Sequence, residues 1–264
     1  MKSRTNRVIL AGASLAGAIA ALAQTAAPPE MPAPSWTITP AVASQYMFRG
    51  VRLGGPSFQP AIEFDYGSLA LGGWCNVPIS DKVDGQSDPE VDFYGSYSID
   101  VIKHTLNIAP GFTLYSYPNA ARSQGFYKAT VEPNIAANYT VGMVRLTPKI
   151  YYDVVLDGPT YELSAGTAIP LKGAGTELDF IATAGTYRWT TAVPDVTPDI
   201  KNWGDYWLAG VTVPFQINSS SKLTLGFAYT AGSNNFYKQG TAPRTINPRA
   251  VGHGVVTVSY GFTF

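Results

Sequence analysis

The sequence predicts an all-β protein, a transmembrane antiparallel up-and-down β-barrel of about 12 strands. Three observations carry that expectation. The stretch Val251 to Phe264 alternates, with Val256, Val258, Tyr260, Phe262 and Phe264 on one face and Thr257, Ser259, Gly261 and Thr263 on the other. A strand has a side-chain period of two, so one face here is apolar and the other small and polar. Segments of the same kind recur along the chain with turn chemistry between them. The connections also alternate short and long, as tight turns at one rim and longer loops at the other require.

Residues Met1 to Ala23 read as an export signal. Lys2, Arg4 and Arg7 make a positive start, Val8 to Leu22 an Ala-rich apolar run, and Ala21-Leu22-Ala23 a small-x-small cleavage site. That run is too short to span a bilayer, which needs roughly 20 residues, and nothing later is long and apolar enough to be a membrane helix. Removing the signal takes a formally neutral precursor to about −3. So small a charge gives no case for a nucleic-acid partner. Cys75 is the only cysteine, which excludes an intramolecular disulfide and a metal site built on thiolates. Sparse charge with abundant Gly, Tyr, Phe and Thr suits an aromatic lipid-facing skin around a polar interior.

Gln24 to Ser35 is a Pro-rich spacer, expected to be extended and periplasmic, and the barrel occupies 36–264. The first strand is expected over Trp36–Phe48 and the second over Ser57–Tyr66, where Phe58, Ile62, Phe64 and Tyr66 oppose Gln59, Ala61, Glu63 and Asp65. Gly67-Ser68 turns into Leu69–Ile79, and a polar loop, Ser80 to Pro89, leads to Glu90–Ile99. There Val91, Phe93, Tyr97 and Ile99 oppose Glu90, Asp92, Tyr94, Ser96 and Ser98. Thr105–Tyr117 is the fifth segment, followed by Phe126–Tyr139 and Met143–Val155. In the last two, Lys128, Glu132, Arg145, Lys149 and Asp153 share one face while Val131, Ile135, Val144, Ile150 and Tyr152 share the other. Charge on one side and aliphatics on the other fit lumen and lipid. Thr160–Ile169, Thr176–Tyr187, Tyr206–Gln216, Lys222–Thr230 and the final stretch complete the wall. A soluble β-sandwich would have to bury those charges between its sheets, which is costly when they are unpaired. Pro60, Pro110, Pro133 and Pro148 fall inside strands of a wall with no free edge, so bulges or rim positions are expected there.

Three pieces resemble one family. Ser44-Gln45-Tyr46-Met47-Phe48-Arg49-Gly50 resembles its S-x-Y-x-F-R-G opening, and Pro60-Ala61 with Gly67-Ser68-Leu69-Ala70-Leu71-Gly72-Gly73-Trp74 its paired strands ending in G-x-W. Glu90-Val91-Asp92-Phe93-Tyr94-Gly95-Ser96-Tyr97 resembles its E-x-D-x-Y-x-G-Y strand. The family is the TorF-type porins of the bacterial outer membrane. The resemblance covers residues 44–97 and implies an outer-membrane barrel and a channel, without catalytic residues or cofactor. The terminal Phe264 of the closing strand likewise resembles the sorting signal read by the barrel-assembly machinery.

The function expected is passive diffusion of small solutes through a narrow, charge-lined lumen, since about twelve strands enclose less than a sixteen-stranded aqueous channel does. Arg49 and Arg52, just past the first strand, are candidates for a constriction that selects anions, or for partners of rim carboxylates and lipopolysaccharide phosphates. Glu63, Asp65, Asp92, Glu132, Asp153, Glu162, Glu177 and Asp179 face few bases, chiefly Lys128, Arg145, Lys149 and Lys222, which favours cations or else fills the interior with salt bridges. Lys238, Arg244 and Arg249 in the last outer loop offer charge to anions or lipopolysaccharide. Asp81, Asp84 and Asp88 lack the regular calcium-loop spacing. A non-conducting structural or adhesion barrel is the alternative. A lipid hydrolase is disfavoured, because His104 falls by a short periplasmic turn and His253, at the outer start of the last strand, has no Ser motif beside it.

Overall fold

A computed structural model describes residues 33–81, 89–120, 128–188, 203–233 and 251–264. The export signal, most of the spacer, Asp84, Asp88 and the loop bases Lys238, Arg244 and Arg249 lie outside the described residues. The chain is all-β and closes into an antiparallel barrel of 12 staves. In chain order the strands are β1 (Ser35–Thr39), β2 (Ala41–Ala43), β3 (Tyr46–Phe48), β4 (Val51–Gly54), β5 (Ser57–Phe58), β6 (Ala61–Tyr66), β7 (Leu69–Pro78), β8 (Glu90–Tyr97) and β9 (Ile99–Ile102). There follow β10 (Leu106–Ser116), β11 (Ala129–Val141), β12 (Val144–Asp153), β13 (Gly158–Leu171), β14 (Thr176–Arg188), β15 (Trp203–Asn218), β16 (Ser221–Gly232) and β17 (His253–Thr263). β1 with β2 forms the first stave, β5 with β6 the second, β7 the third, β8 with β9 the fourth, and β10 to β17 one each.

Closure is made by β1 against β17, where Thr37 pairs with Thr263 and Ile38 with Phe262. Trp36 and Phe264 continue that seam through backbone bonds in both directions. The staves meet in tight turns at one end, helped by positive φ at Gly67, His104, Gly142 and Gly175, and in longer connections at the other. These ends are called the turn end and the loop end below. Outward positions carry Ile62, Phe93, Ile135, Ile150, Leu163, Phe227 and Val256, all open to the surroundings. An apolar band that covers the whole girth calls for hydrocarbon rather than water around it. Cys75 lies on the same outward face, half-buried among its neighbours.

The prolines do not produce the expected bulges. Pro110, Pro133 and Pro148 instead sit where one of their two ladders is interrupted. β11 and β12 bridge at Asn134, Ile135 and Ala136 and again from Tyr139, so Pro133 and Pro148 both fall in gaps of that seam. Pro148 still pairs with Leu163 on its other side, and Pro110 with Ile135. Pro60 breaks the second stave between β5 and β6. A missing N–H is thus tolerated without an edge, because the partner strand leaves that one rung unmade.

The first strand is also shorter than its alternation predicts. The stave ends at Ala43, and Tyr46 to Gly54 leave the wall as a separate two-stranded hairpin, β3 with β4. This hairpin forms no ladder with any stave. Its side chains are nonetheless buried, including Tyr46, Met47, Val51 and Arg52, so it occupies the barrel interior at the loop end.

With lipid outside, Leu163→Arg at mid-height of β13 is expected to lower folding stability by about 2–4 kcal/mol. Reversible denaturant unfolding in lipid vesicles measures this directly.

Candidate functional site

The inward face begins as small and polar residues and gathers tyrosine and carboxylate towards the loop end. Near the turn end, Glu63, Asp65, Gly72, Arg145, Thr183, Glu177 and Lys222 are only half-buried, so the lumen is open there. Higher up, Glu90, Asp92, Thr130, Glu132, Tyr151 and Tyr187 are sealed from solvent. The change coincides with the hairpin.

The hairpin turns through Arg49 and Gly50, both at positive φ (46° and 76°), the signature of a two-residue type I′ loop. Gly50 is required there twice over, since a Cβ would run into the backbone of Ala231 and Gly232 as well as strain the turn. Turn chemistry gives no reason for arginine at the first position, where the left-handed conformation costs about 1–2 kcal/mol. Its contacts supply the reason. Arg49 Nη1 and Nη2 donate to Glu132 Oε1 and Oε2, each at 2.8 Å, a bidentate fork. Tyr115 donates to the same carboxylate at 3.0 Å. The guanidinium carbon lies 4.7 Å from the Phe48 ring centroid and 5.1 Å from that of Tyr151. β11 and β12, which carry Glu132 and Tyr151, are the sixth and seventh staves, across the barrel from the first. Phe48 packs towards the cluster of Leu156, Tyr187 and Tyr206. The hairpin therefore crosses the lumen from one wall to the other. Burial opposes the charge on Arg49, and Glu132 outweighs it, leaving the guanidinium pKa well above its ordinary value.

Each glutamate of the inner wall from Glu63 to Glu162 is held by tyrosine. Glu90 accepts from Tyr46 at 2.6 Å and Tyr117 at 3.2 Å, and Glu162 from Tyr206 at 2.6 Å and Tyr151 at 3.3 Å. Burial and then Glu90 push the Tyr46 hydroxyl well above its usual pKa, so it remains a donor. One arrangement occurs twice. Glu63, Gly72 and Tyr94 stand side by side on three adjacent strands, and so do Glu162, Gly185 and Tyr206. In both, the tyrosine ring lies across the glycine, where a Cβ would overlap it, and its hydroxyl reaches the glutamate beyond, at 3.2 Å in the first set. A glycine in a strand thus gains a cover, and the carboxylate gains a donor whose direction is fixed.

The remaining sequence candidates divide by height. Asp153 closes the loop end of β12, accepting from Thr130 Oγ1 and from the N–H groups of Val155 and Leu156. Lys149 is buried with its ammonium 4.5 Å from the Tyr151 ring centroid. Asp179 and Glu177 lie in the turn-end half of β14, with Lys222 in electrostatic range of Asp179 and Glu63. Arg52 is on the hairpin and pairs with Asp81 and Gln45 at the rim, so it does not reach the lumen centre. Lys128 is exposed, one residue above the last rung of β11, Ser116 with Ala129, and stands at the rim instead of lining the wall.

The family model described as "Bacterial protein of unknown function (Gcw_chp)" matches residues 29–237. The chain belongs to this family. No curated protein matches the sequence. Among solved structures it is similar to a KdgM porin, with 11% identity and a TM-score of 0.53 over 86% of this chain and 99% of that one. A NanC porin gives 9% identity and a TM-score of 0.54 over 86% and 98%. A KdgM porin in complex with disordered oligogalacturonate gives 8% and 0.50 over 87% and 99%. At such identities the likeness is one of fold, that of outer-membrane porin barrels.

The inner tyrosines Tyr115, Tyr151, Tyr187 and Tyr206 depart from the expectation that aromatic residues lie mainly on the lipid face. Their parity with Thr113, Lys149, Gly185 and Gly204 was the available signal. Two outcomes follow. Gly185→Ala is expected to cost about 1–3 kcal/mol by driving the Tyr206 ring off the strand. In a Cys75→Ala background, Met47→Cys should resist a thiol reagent until Arg49→Ala is added, when labelling should quicken as the hairpin loosens.

Proposed function

We propose that the chain is a TorF-type porin, an outer-membrane channel through which small solutes diffuse passively, with no bond made or broken and no cofactor. The observation that carries this reading is a charge-lined lumen filled, among the described residues, by a hairpin that shares no ladder with the wall. A barrel with a purely structural role needs neither a carboxylate-rich interior nor a removable filling, since apolar packing is the cheaper way to occupy that volume. The likeness in fold to porins agrees with it. In this reading residues 1–23 are removed near Ala23, 24–35 form the periplasmic spacer, and the turn end faces the periplasm. Phe264 addresses the barrel-assembly machinery, the rim bases meet lipopolysaccharide, and lipid surrounds the outward band.

The hairpin is the constriction. Arg49 is neutralised by Glu132 rather than offered to anions, while acids outnumber bases along the wall, so the channel prefers cations. The test is single-channel recording of purified, folded barrel in planar bilayers. Small cation-selective steps are expected, with conductance rising several-fold when 45–55 is replaced by a short Gly/Ser turn. Silence from both proteins, each shown to be folded, would favour the non-conducting barrel.

A further inference from the structure

Among the described residues, one carboxylate of the sealed loop-end half lacks the donors that hold its neighbours. Asp92 is 1% exposed, and neither of its carboxylate oxygens has a hydrogen-bond partner. Glu90 and Glu132 are close enough to repel its charge. Directly opposite on β7, Trp74 pairs in register with Asp92, and Asn76 with Glu90. The indole Nε1 of Trp74 and the amide Nδ2 of Asn76 are also buried and also lack partners. Gln59 donates to Asn76 Oδ1 at 3.0 Å, which fixes the amide and aims its free N–H₂ away from that bond. Two acceptors and two donors of one inward patch are therefore unsatisfied together. Leaving such groups unmade is expensive, most of all for a charge.

We propose that this patch is a binding site for a small hydroxylated amine, the chemistry of an amino alcohol or an amino sugar; the proposal rests on reading the lumen as a solute path. The ammonium pairs with Asp92 and lies against the aromatic cluster of Tyr46, Trp74 and Tyr94, whose ring faces favour a cation. The solute's hydroxyl oxygen accepts from Trp74 Nε1 and Asn76 Nδ2. A carboxylate in that place would meet Glu90 and Glu132, so the acceptor is a neutral one. A divalent metal is a poor occupant, because no three acids or histidines among the described residues converge as ligands. Tyr46 now covers the patch, its ring centroid 5.6 Å from that of Trp74. It belongs to the hairpin, the one element among the described residues free of the wall's ladder, and its movement makes the room. The half-open lumen begins one rung lower, at Gly72 and Glu63.

The experiment titrates the full barrel in detergent by isothermal titration calorimetry, with ethanolamine, ethylamine and ethylene glycol as probes. Saturable binding of ethanolamine is expected, several-fold weaker for ethylamine and absent for ethylene glycol. Asp92→Asn should weaken ethanolamine at least tenfold, and Asp100→Asn at the turn end should not change it. Trp74→Phe, which keeps an aromatic face and removes one of the two donors, should narrow the gap between ethanolamine and ethylamine. Asp92→Asn should also melt no lower than the parent, because it removes an uncompensated charge; a purely structural Asp92 would give a lower melting temperature. Lack of ethanolamine binding by the parent, equal binding by Asp92→Asn, or equal binding of ethylene glycol overturns the site. Binding with no conductance in bilayers would instead sink the channel reading and leave the site standing.

Discussion

Within hydrocarbon a backbone amide has no water to turn to, so a sheet that crosses a membrane closes on itself and leaves no edge. Here the seam between β1 and β17 meets that requirement, and closure at 12 staves then fixes the diameter. Alternation along every stave follows, with one face for lipid and one for the lumen. An interior of this width lies between one that side chains fill and one that stands open. The turn-end half is left half-open around charged and small polar residues, whereas the loop-end half is filled by a hairpin from the first stave.

How that filling is held is a matter of geometry in a water-poor space. A buried carboxylate is tolerable only with its oxygens satisfied. Tyrosine suits the task, since its ring lies flat on the wall and its hydroxyl donates at a distance set by a rigid frame. The two Glu–Gly–Tyr rows use the absence of a glycine side chain to let the ring lie down. Arg49 completes the set by bringing its charge from the opposite wall, in a backbone conformation an arginine seldom adopts. Local strain and a bidentate pair in one residue are the marks of a segment placed by its contacts and not by its own preferences.

This arrangement has a bearing on the proposed channel. No ladder joins wall and filling among the described residues, so the hairpin can be loosened without breaking any rung of the barrel. The unsatisfied groups beneath it make its seated position less favourable than its aromatic contacts would suggest. Asp81, fixed to Arg52, ties the hairpin's second strand to the rim, and Glu132, fixed to Arg49, ties its tip to the far wall.

The alternation of apolar and polar residues is a local property, and it determined the staves, their faces, the turns at Gly67, Gly142 and Gly175, and the inward position of Glu63, Asp92, Glu132, Lys149 and Glu162. The chain alone could not say that 46–54 leaves the wall. Tyr46 and Phe48 continue the parity of Trp36, Ile38 and Val42, and only the Arg49-Gly50 turn and Gly54-Gly55-Pro56 hinted at a separate ribbon. Nor does it contain register, which is a relation between strands. Register puts Gly185 beside Tyr206 and Trp74 beside Asp92. The meeting of Arg49 with Glu132 across the lumen belongs to tertiary structure for the same reason. Side-chain period is written within one strand, but what faces what across a closed cylinder depends on its diameter and stagger, which no single strand encodes.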